Sequence, residues 1–446
     1  MEHSNNREKL LKYLRKLTIK LPPADDETEY LVFTGEELAL KADILPMTET
    51  PSIVFIRNED PLHVILALIR SIEQGYLSVI LAPETTGDEV VELSRRFDPE
   101  HTFFSEHLTT YKQNPFPYEL DEEDALVILT SGSSGKPKAV THTFDSLIKA
   151  AEDGNRALGV TKDDIFHLSL PLNHISGLML LIRAAIAGAT LLIHRQGAKT
   201  QGTLQPTFAS LVPTQLKKML AEGKGPGSFR VILLGGSASE PELVSEAIKA
   251  GFPIYTVYGS SETAAFIAIA GPEKLAENPG AGYEPIDGVE IKEENGELLV
   301  RSEHLFSRYL DDPELTESVF SDGFYKTNDL CEIAETGEFK ITGRKNRFII
   351  SGGVNIDPLE LESVIKEFPA IDEVFVFGVP NEKWGEAVAA LLVANKDFEF
   401  QDLHAFLRTR ITPYKIPKYY RLVDAIPLTS IGKYDPVVSR RLLFER

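Results

Sequence analysis

Between residues 52 and 259 short apolar runs alternate with segments of helical period. Residues 52–56, Ser-Ile-Val-Phe-Ile, read as a strand. Residues 61–73 place Val64, Leu66, Ala67 and Ile69 in a helical pattern, and residues 77–81 return to a strand. The rhythm recurs, with strands predicted at 190–194, 208–212, 231–234 and 254–258 and a helix at 241–249. Such alternation predicts a buried, largely parallel arrangement of strands. Beyond residue 280 the texture changes to hairpins. Runs at 289–293 and 297–301 flank Asn295-Gly296, a strong two-residue hairpin signal, and Asp322-Gly323 and Thr336-Gly337 mark further turns. From about Arg347 a last unit begins. It holds a helix at 358–367 with Asp357 as N-cap and Pro358 at the first helical position. Strands at 374–379 and 389–393, a helix at 403–407 and a strand at 420–423 follow.

The predicted class is therefore α/β. A large N-terminal domain, residues 1–345, combines mixed, largely parallel sheets with a β-hairpin region; a small α+β C-terminal domain spans 346–446. The first 21 residues scatter charge through Arg-Glu-Lys-Leu-Leu-Lys-Tyr-Leu-Arg-Lys-Leu, which is no signal peptide and reads as an amphipathic surface helix. The longest apolar run, 177–193, contains Arg183 and Gly188 and is too short and broken to span a membrane.

Composition narrows the function classes. The chain has 446 residues, enough for two or three domains, and a net charge of −21. That charge argues against a nucleic-acid backbone or an anionic membrane as main partner, since both would repel the surface. Cys331 is the sole cysteine, so an internal disulfide and a cysteine-based metal site are excluded, and a reducing, cytoplasmic compartment fits. Oligomeric state stays open, a homodimer included.

The stretch with most chemistry is 128–140, Ile-Leu-Thr-Ser-Gly-Ser-Ser-Gly-Lys-Pro-Lys-Ala-Val. It follows a predicted strand at 125–129, and ligands of open α/β sheets sit beyond the carboxyl ends of strands. Gly132 and Gly135 allow close backbone approach to an anion. Thr130, Ser131, Ser133 and Ser134 add hydroxyl donors, and Lys136 and Lys138 add charge. These are the parts of a phosphate cradle; a flexible surface turn is the alternative. The loop is not a Walker A motif, because only two residues separate the glycines and Pro137 follows Lys136. No Gly-x-Gly-x-x-Gly or Gly-x-Ser-x-Gly is present, and Gly235-Gly-Ser-Ala-Ser239 ends in serine.

Residues 130–138 resemble the phosphate loop of the acyl-adenylate-forming superfamily of acyl-CoA synthetases, adenylation domains and beetle luciferases. Its other signatures follow in order. Tyr258-Gly-Ser-Ser-Glu-Thr263 resembles Tyr-Gly-x-Thr-Glu, and Tyr325-Lys-Thr-Asn-Asp329 resembles Tyr-x-Thr-Gly-Asp. Gly343-Arg-Lys-Asn-Arg-Phe-Ile-Ile-Ser-Gly-Gly353 resembles the hinge and following loop, and Pro427-Leu-Thr-Ser-Ile-Gly-Lys433 the C-terminal lysine motif. Within that superfamily, Ser169-Leu-Pro-Leu-Asn-His-Ile-Ser-Gly-Leu178 and Ala209-Ser-Leu-Val-Pro-Thr-Gln-Leu216 look like the o-succinylbenzoate–CoA ligases of menaquinone biosynthesis. There are departures: Asn328 replaces the glycine before the family aspartate, Ala139 replaces a glycine after the loop, and Asn346 stands where the hinge residue is usually Asp or Lys.

The resemblance implies ATP, Mg²⁺, coenzyme A and a carboxylic acid as ligands, with acyl-AMP formed first and an acyl-CoA thioester second. It implies roles residue by residue. The loop 130–138 would hold the β- and γ-phosphates, and Glu262 would be the Mg²⁺ ligand unless it is an ordinary loop glutamate. Tyr258 would stack on adenine, with a core position as the alternative. Gly235 and Ser237 would leave room for adenine, with Gly259 and Thr263 beside it. Asp329 would accept the ribose hydroxyls and Arg344 assist there or at a phosphate, a surface ion pair being the alternative for each. Lys433 would bridge the substrate carboxylate and the α-phosphate; by position alone it is a solvated lysine on a late loop. His174 would wall or gate the acyl pocket, with Ser176, Gly177, Thr214, Gln215 and Ser260 further pocket candidates. Arg183 either faces a second substrate carboxylate or, as the preferred reading, makes a structural ion pair. Asn346 would be the hinge and Gly352 and Gly353 would line a CoA tunnel. Two other functions remain open: an adenylation enzyme that loads a carrier protein, and a non-catalytic nucleotide-binding relative.

Overall fold

Four-residue runs such as Phe208–Leu211 and Val231–Leu234 are buried at every position, as strands covered on both faces must be. The computed structural model describes residues 3–22, 31–34, 36–37, 52–97, 99, 101–104, 107–110, 119–130, 137–193, 204–237, 239–345, 349–351, 354–381, 383–396, 398–429 and 434–444. The chain divides into two compact units. One comprises Met1–Lys292, Leu299–Lys326 and Ala334–Phe339; the other comprises Glu293–Leu298, Thr327–Ile333 and Lys340–Arg446.

The first unit contains a nine-stranded and a seven-stranded sheet. In the larger, Ile254–Ser260, Val231–Leu234, Phe208–Leu211, Ile165–His167, Thr190–Leu192 and Thr18–Leu21 lie side by side and parallel. Antiparallel strands close both ends: Leu31–Thr34 at one, Ala265–Ala270 and then Glu284–Pro285 at the other. In the smaller sheet Tyr76–Ile80, Ser52–Arg57 and His101–Phe104 are parallel neighbours, and Asp124–Thr130 pairs parallel to Tyr76–Ile80 and antiparallel to Lys138–Thr143. The alternating pattern did not separate two sheets from one, because periodicity fixes which face is buried and not which strand lies alongside.

Local chemistry sets the helix ends. In Pro61–Gln74, Asp60 Oδ1 accepts the Leu62 N–H at 2.9 Å, and Pro61 occupies a position whose N–H would have no helical partner. Gly75, at φ 87°, turns the chain out and donates its N–H to Ile72. The helix Ile175–Ala187 is apolar nearly all round and lies in the core, ended by Gly188 at φ 65°. The N-terminal helix His3–Lys16 docks more deeply than a surface helix would: Leu10, Leu11, Leu14 and the following Leu17 are at most 2% exposed, within the core shared by Phe144–Ala157 and Ile175–Ala187. Asn295 and Gly296, at φ 54° and 79°, both occupy the left-handed region that a two-residue hairpin turn requires.

In the second unit, Asp357 caps Pro358–Lys366 by accepting the Leu359 N–H at 2.9 Å. The predicted strands grow to Ile371–Asn381 and Gly385–Ala394, paired antiparallel with Phe375 opposite Leu391. The helix Phe400–Arg408 buries Leu403 and Leu407, and Tyr419–Leu422 runs parallel to Gly385–Ala394. Among the described residues no helix is long and apolar enough to cross a membrane.

The docking of the first helix predicts a split between its faces. Leu14→Ala should cost about 2–5 kcal/mol, seen as a lower urea midpoint at unchanged m. Lys12→Ala, on the exposed face, should stay within about 0.5 kcal/mol of the parent.

Candidate active site

Parallel pairing brings the carboxyl ends of neighbouring strands to one edge. There Ile165–His167 runs into Ser169–His174, Phe208–Leu211 into Val212–Gln215, Val231–Leu234 into Gly235–Ser237, and Ile254–Ser260 into the turn Ser261–Thr263. Ligands of open α/β sheets occupy this edge. His174, Ser176, Gly177, Thr214, Gln215, Gly235, Ser237, Tyr258, Gly259, Ser260, Glu262 and Thr263 all belong to these segments or to the helix starts that follow them.

The turn that carries Glu262 is tightly specified. Ser260 Oγ accepts the Glu262 N–H at 3.2 Å, and Thr263 Oγ1 accepts the Ser260 N–H at 2.8 Å. Ala264 and Ala265 follow at φ 49° and 79°, a left-handed pair costing on the order of 1 kcal/mol each. A Cβ on Gly259 would lie 1.7 Å from the Ala265 carbonyl oxygen, so only glycine fits there. Glu262 Oε1 accepts the Tyr309 hydroxyl at 3.0 Å, and the Glu262 carbonyl accepts the Phe306 N–H at 2.8 Å. Behind the turn, His142 Nε2 donates to the Ser261 carbonyl at 2.7 Å, and its Nδ1 lies 3.3 Å from Ser146 Oγ.

Thr130 pairs with Lys138 across neighbouring antiparallel strands, so the sequence between them joins two strands and does not lead into a helix. Lys138 Nζ lies 5.0 Å from the Tyr309 ring centroid. Ala139 is fully buried opposite Leu129, which explains a small apolar residue after the loop. Ser131, Gly132, Ser133, Ser134, Gly135 and Lys136 lie outside the described residues, as do Asn346, Gly352, Gly353 and Lys433.

The remaining candidates divide by what they touch. Tyr258 is half-buried in an aromatic cluster, 5.3 Å from Phe339 and 5.9 Å from Tyr283 between ring centroids. Gly235 is buried and approached by the Val257 side chain, while Ser237 is exposed. Both ends of the Gln215 amide are engaged: Oε1 accepts the Val212 N–H at 3.0 Å and Nε2 donates to the Ser169 carbonyl at 3.2 Å. Gly177 is pressed by the preceding loop, where a Cβ would meet the Pro171 carbonyl oxygen at 2.1 Å. His174 sits at the N-cap of the buried helix, half-exposed with Ser176; Thr214 is half-buried at the start of Pro213–Ala221.

Among the described residues Arg183 does not make the ion pair expected of it. It is 2% exposed, lies 4.1 Å over the Phe266 ring, and its Nε and Nη2 have no hydrogen-bond partner among the described residues. Burial pulls its pKa down to about 9, so the guanidinium stays charged at neutral pH at a high desolvation cost.

In the second unit Arg344 Nε lies 3.1 Å from Asp329 Oδ1. Asn328 has φ 61°, and asparagine is the residue besides glycine that best tolerates this region; the departure from the family glycine thus keeps the turn. Buried Glu297 holds the turn, accepting the Asn328 N–H at 2.8 Å and pairing with Lys345 at 2.7 Å. The Cys331 thiol is buried and pushed up to about 11 by burial and by Glu293 and Asp329, which makes it unreactive.

Sequence reading missed Tyr309 and His142. Each acts on the Glu262 turn from 47 and 119 residues away, a separation no local motif spans. His142 generates a pH prediction. Burial lowers its pKa to about 4, below the ordinary 6.5. The unfolded chain then binds a proton between these values that the folded chain does not, so stability present above pH 6.5 is lost as pH falls toward 4. Fully developed, the loss is roughly 3 kcal/mol. Urea midpoints between pH 7 and 5 should fall more steeply in the parent than in His142→Gln; parallel slopes would exclude the histidine as the cause.

Residues 51–310 match the AMP-binding enzyme family and residues 360–433 the AMP-binding enzyme C-terminal domain. A 2-succinylbenzoate–CoA ligase from Staphylococcus epidermidis is 34% identical over 324 residues, 70% of this chain and 68% of that protein. One from Bacillus subtilis is 34% identical over 325 residues, 69% of this chain and 67% of that protein. The structure of o-succinylbenzoate CoA synthetase from Bacillus subtilis in complex with the acyl-adenylate intermediate OSB-AMP has a TM-score of 0.77 to this one, at 26% identity, covering 99% of this chain and 98% of that chain. The convergence of strand ends on Glu262, the ordered motifs from Thr130 onward and these matches lead to one assignment: the chain belongs to the AMP-binding enzyme family.

Proposed function

We propose that the protein is an ATP-dependent acid–CoA ligase that forms an acyl-AMP and then an acyl-CoA thioester, with 2-succinylbenzoate as its acid and menaquinone biosynthesis as its pathway. The observation that carries this reading is the carboxyl edge of the nine-stranded sheet. It gathers Glu262, Tyr258 and the loop segments around His174, Thr214 and Gly235, in a chain similar over nearly its full length to a ligase solved with its acyl adenylate.

In the first half-reaction a substrate carboxylate oxygen attacks the α-phosphorus of ATP and pyrophosphate leaves. In the second the CoA thiol sulfur attacks the acyl carbon and AMP leaves. Both reactants of the first step are anions, so the chain must supply positive charge and alignment. The loop 130–138 is assigned to the β- and γ-phosphates, and Lys433 to the gap between carboxylate and α-phosphate. Glu262 would hold Mg²⁺. Its surroundings fit: the half-buried carboxylate follows a strand end with a neutral hydroxyl donor on Oε1, and Mg²⁺ commonly takes one carboxylate plus substrate phosphates. The ion would neutralise phosphate charge. Asp329 and Arg344 are assigned to ribose, Asn346 to a hinge at a domain boundary between residues 345 and 346, and Gly352 and Gly353 to the path of the thiol. A cytoplasmic location agrees with the net charge of −21 and the lone Cys331.

Arg183 supports the choice of acid. 2-Succinylbenzoate carries two carboxylates; one becomes the anhydride and the other stays ionised. A buried guanidinium whose Nε and Nη2 lack a hydrogen-bond partner among the described residues gains most from such an anion. Arg183→Leu should lower kcat/KM for 2-succinylbenzoate about 100-fold or more, and for 4-phenyl-4-oxobutanoate, which lacks the second carboxylate, by less than about threefold. Equal losses on both acids would remove Arg183 from recognition. Preference of the parent enzyme for a fatty acid or simple benzoate would refute 2-succinylbenzoate as substrate.

The division of chemistry is tested separately. Lys433→Ala should abolish acyl-AMP formation, measured as pyrophosphate release, yet convert supplied acyl-AMP and CoA to thioester. Asn346→Pro should do the reverse. Equal loss of both half-reactions in both folded variants contradicts the division.

A further inference from the structure

The segment from Phe306 to Asp311 crosses the surface that presents Lys138 and Glu262, and bonds to the elements carrying both. Phe306 N–H donates to the Glu262 carbonyl at 2.8 Å, Ser307 N–H to Thr141 at 2.8 Å and Leu310 N–H to Ala139 at 2.9 Å. Arg96 fastens the far end, pairing with Asp311 while donating to the Pro137 carbonyl at 2.7 Å. Tyr309 sits at the centre, 2% exposed. It lies opposite Val140 in the strand pair, so Lys138, two residues earlier, is its diagonal neighbour on the same face. Its hydroxyl donates to Glu262 Oε1 at 3.0 Å, and the Lys138 ammonium is 5.0 Å from its ring centroid.

Lys138 and Glu262 thus share one tyrosine, yet form no ion pair with each other among the described residues, all three of which are included. Opposite charges gathered about one side chain would attract each other and, once paired, would each be less available to a ligand. A phenol between them satisfies one carboxylate oxygen with a neutral donor and offers the ammonium a π face. We propose that Tyr309 is a positioning residue of the adenylation half-reaction: it holds Glu262 and Lys138 side by side without letting them neutralise each other. Glu262 is kept for a divalent cation and Lys138 for the triphosphate. This rests on the roles given to those two residues above.

Tyr309→Phe keeps the ring and removes the donor. Mn²⁺ binding in the presence of α,β-methylene ATP, followed by water-proton relaxation, should weaken about tenfold, within the range seen when a ligand's supporting hydrogen bond is lost. The Mg²⁺ concentration for half-maximal pyrophosphate release should rise by a similar factor. Thioester formation from supplied acyl-AMP should be unchanged. In a Glu262→Gln background, Tyr309→Phe should add no further loss of Mn²⁺ affinity. If the variant does not fold, 3-fluorotyrosine at position 309 preserves shape while strengthening the donor, and should hold Mn²⁺ at least as tightly as the parent; a fall in Mn²⁺ affinity would overturn the positioning role. Unchanged Mn²⁺ affinity and Mg²⁺ dependence, or equal loss in both half-reactions, overturns the proposal. If Glu262→Gln itself leaves Mn²⁺ affinity and pyrophosphate release intact, the fault lies in the role given to Glu262.

Discussion

Parallel pairing of Phe208–Leu211, Val231–Leu234 and Ile254–Ser260 is the constraint on which the site depends. Parallel strands place all their carboxyl ends on one edge, and the loops leaving that edge have no choice but to be neighbours. Phe208–Leu211 and Val231–Leu234 are short and buried at every position, so a register slip would break their packing and is opposed by the core. Position at the site is therefore inherited from hydrophobic burial far larger than any contact the loops make among themselves. The glycines of this edge follow from it: Gly259 against the Ala265 carbonyl and Gly177 against Pro171 are places where backbone meets backbone with no room for a Cβ.

A second theme is how charge is kept usable. Glu262 accepts a phenol, Lys138 rests on the same ring, and His142 is buried neutral beneath the turn. None of these contacts consumes a formal charge. A site that must receive a polyanion and a divalent cation loses both if its own lysine and glutamate collapse together, so neutral partners are the physically economical supports. Arg183 follows the same logic in a more extreme form, with burial opposing its charge and the Phe266 ring, a neutral partner, against its guanidinium. The backbone at Ala264 and Ala265 adds local strain that the surrounding hydrogen bonds hold in place.

The second unit shows how a family motif can change a residue and keep a conformation. Asn328 takes the left-handed conformation that glycine, the usual residue of the motif, adopts most readily, and buried Glu297 fixes that turn while tying Lys345. Asp329 is thereby presented from a rigid support, its carboxylate beside Arg344.

The sequence by itself determined the class of fold and the family. Alternating periodicity, the Asn295-Gly296 turn, the Asp357-Pro358 helix start and the ordered motifs from Thr130 to Lys433 are local signals, written within a few residues each. They were legible because backbone preference and motif chemistry act over one turn or one strand. Tertiary structure decided which strands lie side by side, that two sheets form, and that the N-terminal leucines belong to the core. It alone placed Tyr309 on Glu262, His142 under Ser261, and Arg183 over Phe266. Those contacts join residues tens to over a hundred positions apart, and burial, which sets their energies, is a property of the packed chain that no stretch of sequence carries alone.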